Sequence, residues 1–332
     1  MKFVILSDIH ANYAALQAVL ERLDWMSRST GDGFHIRFLG DLLGYGPMQD
    51  ALECINWLRF APRAEWVPGN HDEWILKPDG GVRPEARVTL LAQRLLLQRP
   101  ENQNAWEWFV ENVTPVISGE KPSVRQDVIG NLTLGFSHAS IMPSQERNSY
   151  LFPWQYPLLT RDSREFKQRI QTESSIVFLG HTHFPMLGQL VNDEVKFQSI
   201  KYGQPIHLEE GSFVGNPGSV GQPRDGDTRA SFAICDAESH SITFYRVDYN
   251  YRQTCEKLRQ EQDIKYRKHL LILDERKDLV RQLGLEWQDG ATMEKISATY
   301  QKLMNYLETG DGGENTANFS RIYRHPQWDL EA

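Results

Sequence analysis

Three observations predict an α/β fold with a mixed sheet arrangement. Short apolar strands alternate with amphipathic helices early in the chain. Later segments read as successive strands separated by turn residues. Several strands also end in Asp, Asn or His. Strand–helix alternation followed by runs of strands is the pattern of layered sheets with helices on their faces. Lys2–Leu6 is the first strand, and Asn12 then caps a helix whose Ala15, Leu16, Val19, Leu20 and Leu23 fall at helical spacing. "HIRFLG" is the second strand, and Pro47 is placed as the first residue of a helix carrying Leu52, Ile55 and Leu58. "AEWV" is the third, and residues 84–112 read as helical through Leu90, Leu91, Leu95, Trp106, Phe109 and Val110.

The pattern then changes to strands. "VRQDVIGNLTLGFSH" reads as a hairpin turning near Gly130 and Asn131. Residues 140–160, rich in aromatics and prolines, read as a long loop, "RDSREFKQRIQ" as a helix and "SSIVFLG" as a buried strand. Six further strands follow in "MLGQLV", "VKFQSI", "PIHLE", "SFVGNPGS", "ASFAICD" and "HSITFYRV". Residues 251–283 are densely charged in both signs, with Leu258, Leu270, Leu273 and Val280 tracing one face; Gly284 ends that helix. Residues 291–308 offer another through Met293, Ile296, Tyr300, Leu303 and Leu307. The expected organisation is a catalytic domain over residues 1–249, an amphipathic helical appendage over 250–308 and a flexible tail over 309–332.

Composition narrows the function classes. The chain has 332 residues with 40% hydrophobic content, as in ordinary globular proteins. Its net charge is −8, and no lysine–arginine block stands out, so neither an extended nucleic-acid footprint nor a membrane surface is expected. No stretch approaches the length of a membrane helix, and "MKFVILSDIH" lacks the features of a signal peptide. Cys54, Cys235 and Cys255 form no metal-binding or disulfide spacing, and a cytoplasmic location is expected.

The chemistry collects at strand ends. Five apolar strands finish in "LSDIH" (Asp8, His10), "FLGD" (Asp41), "VPGNH" (Asn70, His71), "GFSH" (His138) and "FLGHTH" (His181, His183). Residues i and i+2 of extended chain share a side, so His181 and His183 can reach one object. In open α/β sheets ligands gather beyond the carboxyl ends of strands, which would bring all eight side chains to one edge. The bland alternative makes Asp8 and Asp41 helix caps and His138 a core histidine. It must explain all five ends at once.

In order, Asp8-Ile-His10, Gly40-Asp41, Gly69-Asn70-His71-Asp72, His138 and Gly180-His181-Thr-His183 resemble the motifs of the calcineurin-like metallophosphoesterase superfamily. The resemblance spans about residues 1–249, and "SDIHANYAALQAVL", "GDLLGYGP" and "NPGSVGQPRDGD" are similar to its small bacterial and archaeal branch. It implies two mixed sheets packed face to face with flanking helices. It also implies two divalent metal ions, one held by Asp8, His10 and His183, the other by Asn70, His138 and His181, with Asp41 bridging. Mixed imidazole and oxygen donors suit Mn, Fe, Zn, Co or Ni better than Mg or Ca. Two such ions outweigh Asp8, Asp41 and a hydroxide, so the site is left positive and suits an anionic phosphate. The implied reaction is hydrolysis of a phosphodiester or nucleotide-like ester by a hydroxide bridging metals roughly 3.5–4 Å apart, with His71 as catalytic residue.

The sequence also departs from relatives. Protein Ser/Thr phosphatases of the superfamily place an acid and an arginine shortly after the Gly-Asp motif, where this chain has Gly44 and Tyr45, so nothing in the sequence orients His71. Arg147, Arg224 and Arg229 are candidates for the substrate phosphate, against a reading as solvated arginines. Tyr150, Phe152, Trp154 and Tyr156 alternate beside Arg147; they could stack a nucleobase, although packing of a buried loop gives the same pattern and is the preferred reading. Other readings are a phosphomonoesterase or protein phosphatase, and a non-enzymatic protein-binding scaffold on the same fold. The C-terminal helices could make self or partner contacts.

Overall fold

The computed structural model describes residues 1–77, 82, 84–142, 148–170, 172–259, 298 and 302. Strands β1 (Lys2–Leu6), β2 (Phe34–Phe38) and β3 (Ala64–Trp66) are parallel, joined by helices α1 (Tyr13–Thr30) and α2 (Asp50–Phe60). They form half of a six-stranded sheet ordered β3-β2-β1-β11-β12-β9, completed by antiparallel β9 (Pro205–His207), β11 (Ala230–Asp236) and β12 (Ser241–Val247). The second sheet is ordered β4-β5-β6-β10-β7-β8. It contains β4 (Val124–Ile129), β5 (Leu132–Ser137), β6 (Ser174–Leu179), β7 (Met186–Val191), β8 (Glu194–Phe197) and β10 (Ser212–Asn216). Its centre, β5-β6-β10, is parallel; the flanking pairs are antiparallel.

The period of two along each strand divides the core. Phe3 and Ile5 of β1 join Leu134 and Phe136 of β5, Ile176 and Phe178 of β6 and Phe244 of β12 in one apolar layer between the sheets. The alternate residues Val4 and Leu6 face outward and pack with Leu16 and Val19 of α1 and Ile55 of α2. Val177 and Leu179 of β6 likewise face α6 (Tyr156–Gln168), meeting Leu159 and Phe166. Strands buried on both faces need continuous apolar runs, as "KFVIL" and "SSIVFL" show. Two mixed sheets face to face with helices outside is the expected fold.

Local departures have physical causes. Helix α2 begins at Asp50, because Pro47 closes a turn that Asp50 N–H completes at 3.2 Å. The expected helix over 84–112 is two helices, α4 (Pro84–Leu97) and α5 (Gln103–Ile117), since Pro100 has no N–H to continue the first. Residues 140–160 are not all loop, for α6 starts at Tyr156, with Pro157 suited to its first turn. The remaining short helix, α3, is Asn70–Trp74.

The chain divides after Gln260, and α7 (Tyr251–Arg259) belongs to the first unit. Thr254 Oγ1 donates to Asn12 Oδ1 at 3.2 Å and Lys257 Nζ to Asp50 Oδ1 at 2.7 Å, tying α7 to the starts of α1 and α2. The predicted helix to 283 beyond α7 and the tail over 309–332 lie outside the described residues, as does the second predicted helix apart from residues 298 and 302.

Phe178 is fully buried between the sheets and stacks on Phe136 at 6.0 Å. Phe178→Ala should lower unfolding stability by about 3–5 kcal/mol. Val128→Ala, at a residue 62% exposed on β4, should change it by less than about 0.5 kcal/mol. Chemical denaturation of both variants checks the difference.

Candidate metal centre

The carboxyl ends of β1, β2, β3, β5 and β6 point to one edge and deliver the eight side chains there, all of them buried. The backbone at these ends is unusual. Asp8, His10, Asp41, His181 and His183 have φ of 55°, 50°, 56°, 64° and 59°. Left-handed backbone costs a non-glycine residue roughly 1–2 kcal/mol, and such residues cluster at functional sites. Neither aspartate caps a helix: α1 is capped by Asn12, whose Oδ1 accepts from Ala15 N–H at 3.2 Å, and α2 lacks a side-chain cap.

Three groups of donors form. Asp8, His10 and His183 lie together, as do Asp41, His138 and His181, and as do His10, Asp41 and His71; each group is compact enough to hold a metal ion. His183 Nε2 is 3.1 Å from His10 Nε2 and 3.2 Å from Asp8 Oδ1. His138 Nε2 is 3.1 Å from His181 Nδ1 and 2.9 Å from Asn70 Oδ1. Between these groups lies Asp41 Oδ2, 3.7 Å from His10 Nε2 and 3.5 Å from His138 Nε2.

Each donor is aimed by what its other atoms bind. His10, His138 and His183 turn Nδ1 to the carbonyls of Leu43, Leu39 and Gln222 at 3.1, 2.8 and 2.5 Å. An Nδ1–H donated to a carbonyl leaves Nε2 as the free electron pair, the arrangement that fixes a metal-binding tautomer. Asp8 Oδ2 accepts Ser7 Oγ at 2.6 Å and His181 N–H at 3.1 Å, while Oδ1 has no hydrogen-bond donor and faces the histidines. Asp41 Oδ1 takes the His71 N–H at 2.8 Å, leaving Oδ2 for the centre. Asp72 is absorbed by the fold: Oδ1 accepts Leu42 and Leu43 N–H and Oδ2 accepts Gly69 N–H. Burial nevertheless raises its pKa to about 6.

Electrostatics describe a site suited to a cation. Burial, followed by the charges of Asp8 and Asp72, pushes the Asp41 carboxyl well above its usual range. Burial would raise Asp8 too, but the facing histidines, His183 first, hold it low. Burial depresses the His10, His71 and His181 imidazoles, and neighbouring histidines reinforce the effect. Neutral imidazoles and closely set carboxylates are a metal-binding donor set. A divalent ion among them would favour ionised Asp41.

His71 is held without a carboxylate. Its ring is 4.8 Å from that of His10, 4.7 Å from Tyr45 and 5.1 Å from Trp74, and Nδ1 has no hydrogen-bond partner. A Cβ on Gly44, which has φ 90°, would stand 2.3 Å from that Nδ1. The close approach of the ring therefore requires glycine at position 44. The contact with Gly44 and the flanking rings orient His71, which the sequence left unexplained.

The other candidates separate. Arg224 is exposed, lies 5.8 Å over the Tyr45 ring, and its charge contributes to lowering the His10 and His71 imidazoles, after burial and nearby histidines. Arg229 instead grips Asp227, with Nε 3.1 Å from Oδ1 and Nη2 2.7 Å from Oδ2. Arg147 lies outside the described residues. Tyr150 stacks on His181 at 3.9 Å and is exposed with Trp154, so the reading as buried packing is corrected for these two; Phe152 is half-buried, and the Tyr156 side chain lies outside the described residues.

Sequence reasoning missed the support behind the donors. Ser219 Oγ donates to the Asp8 carbonyl at 2.7 Å, and Asn216 Nδ2 holds the Gly180 carbonyl at 2.8 Å and Thr182 Oγ1 at 3.0 Å. "NPGSVGQ" hinted at a close approach through its small residues but not at which atoms it serves.

Residues 1–240 match the model of the calcineurin-like phosphoesterase superfamily domain. The chain is 29% identical over 256 residues to the uncharacterised protein MJ0912 of Methanocaldococcus jannaschii, covering 76% of this chain and 90% of that one. A metallophosphoesterase from Sphaerobacter thermophilus is 27% identical with a TM-score of 0.56, over 78% of this chain and 93% of the other. The hypothetical protein PH1004 of Pyrococcus horikoshii OT3 shares the fold at 20% identity and a TM-score of 0.57, over 80% and 96%. With two mixed sheets and donors at their shared edge, the chain belongs to the calcineurin-like phosphoesterase superfamily.

Proposed function

We propose that the protein is a dinuclear metal-dependent phosphodiesterase acting on phosphodiesters or nucleotide-like phosphate esters. The observation that carries this reading is Asp41 Oδ2, set 3.7 and 3.5 Å from histidines of the two donor groups. Asp8, His10 and His183 would hold one ion, Asn70, His138 and His181 the other, and Asp41 both. The donor set fits Mn, Fe, Zn, Co or Ni. Bound there, such ions would acidify a water and offset the charge of a phosphate.

The chain's own groups then have distinct tasks. His71, fixed against Gly44 and between aromatic rings, would donate a hydrogen bond to the phosphate in the transition state. Arg224 would bind a phosphate oxygen from the exposed side. The charge of Arg224 contributes to lowering the His10, Asp41 and His71 pKa values, after burial and nearer groups. Tyr45, in place of the arginine of protein phosphatases, counts against a phosphoprotein substrate. Cys54, Cys235 and Cys255 are free, which fits a reducing compartment such as the cytoplasm.

With Mn²⁺ bound, bis(p-nitrophenyl) phosphate should be hydrolysed faster than p-nitrophenyl phosphate in initial-rate assays; the reverse order would favour a phosphomonoesterase. His71→Ala should lower kcat on the diester by about 10²–10³-fold while metal content stays at the wild-type value. Gly44→Ala, by displacing the same ring, should also lower kcat with metal retained, as rates paired with elemental analysis will show. Asp41→Asn should reduce bound Mn²⁺ from two ions per chain to one or none, measured by plasma mass spectrometry after gel filtration.

A further inference from the structure

The segment before α6 carries exposed aromatic area that the proposed chemistry does not use. Tyr150 and Phe152 are nearly parallel, their centroids 5.7 Å apart at 5°, and Phe152 and Trp154 are 4.5 Å apart at 7°. Phe184, next to His183, meets Trp154 edge-on at 5.9 Å. At its inner end the row reaches the candidate centre, where Tyr150 lies 3.9 Å from His181 at 27°.

Core packing does not account for the row. Leu151, between Tyr150 and Phe152, is buried with Ile141, Leu159 and Phe166 and anchors the segment. Tyr150 and Trp154 remain 38% and 66% exposed. Isolated exposed aromatics are ordinary, but here the inner rings stack on one another and on His181, and the row ends in the exposed Trp154, on which something flat can lie. Stacking is sequence-tolerant because every base has a π-face, and a tryptophan offers the largest one. Anchorage at one end beside cation donors suits a molecule carrying an anionic group at one end and an aromatic ring at the other.

Resting on the phosphodiesterase reading, we propose that Trp154, backed by Phe152 and Tyr150, stacks on the base of a nucleoside phosphate ester whose phosphate lies at the metal centre. The substrate class is thereby a nucleotide diester, and Trp154 sets the preference for a base-bearing arm. Phe184 braces the Trp154 ring.

Calorimetry on the Mn²⁺-loaded full chain tests this with AMP and ribose 5-phosphate, which share the sugar phosphate and differ in the base. Wild type should bind AMP about tenfold more tightly than ribose 5-phosphate. Trp154→Ala should remove that difference by weakening AMP, and Trp154→Phe should restore most of it. Equal affinities in wild type, or an undiminished AMP advantage in Trp154→Ala, would overturn the proposal. Hydrolysis of methyl p-nitrophenyl phosphate, which has no base, tests the phosphodiesterase reading separately. Its failure in wild type would count against that reading, while the AMP comparison would still decide the aromatic row.

Discussion

Burying two carboxylates and five imidazoles beyond the ends of five strands forces most other features of this fold. In water these groups would be solvated; here Asp8 and Asp41 are almost fully enclosed. Buried charge is tolerated only where partners or a cation compensate it. The fold supplies partners to the outward atoms: Ser7 and the His181 amide to Asp8, the His71 amide to Asp41, and backbone carbonyls to three histidines. Asp8 Oδ1, which has no hydrogen-bond donor, faces the histidines. Left-handed backbone at five of the donors is the conformational cost of turning them all the same way.

The sandwich makes that convergence possible. β1, β2 and β3 of one sheet and β5 and β6 of the other are parallel within their sheets, so each loop leaves from the same edge. Phe3, Ile5, Phe136 and Phe178 fill the space between the sheets and fix the spacing of the two donor sets. The loop after β10 closes the centre from behind, with Val220 and Gly221 amides on the Ser7 and Asp8 carbonyls and Gln222 on His183. Asn12 links this frame to the C-terminal side of the unit: its Nδ2 donates to the Gly221 carbonyl at 2.8 Å and the Tyr249 hydroxyl at 3.0 Å.

The strands and the convergence of eight side chains from five strand ends were legible in the sequence, whereas the order of strands within each sheet was not. Each of the five is a short apolar run ended by a residue that would be poorly placed in a core without a partner. Helix ends were less legible. Pro47 and Pro100 act through the turns they close, which depend on neighbours in space as well as on the local string. The orientation of His71 was hidden because it rests on contacts: Gly44 makes room for the ring, and Tyr45 and Trp74 flank it. Arg229 read as a candidate phosphate ligand, yet its fork is filled by Asp227 two residues away. Exposure of Tyr150 and Trp154 was likewise beyond sequence pattern, since alternating aromatics look the same on a buried loop and on an open shelf.

On the proposed function, Asp41 joins two ion sites, each built from donors of both sheets. Anomalous scattering at the manganese edge from crystals soaked in Mn²⁺ tests it most directly. The account predicts two peaks, one among Asp8, His10 and His183 and one among Asn70, His138 and His181, with Asp41 contacting both. A single peak, or two peaks of which Asp41 touches one or neither, would contradict it.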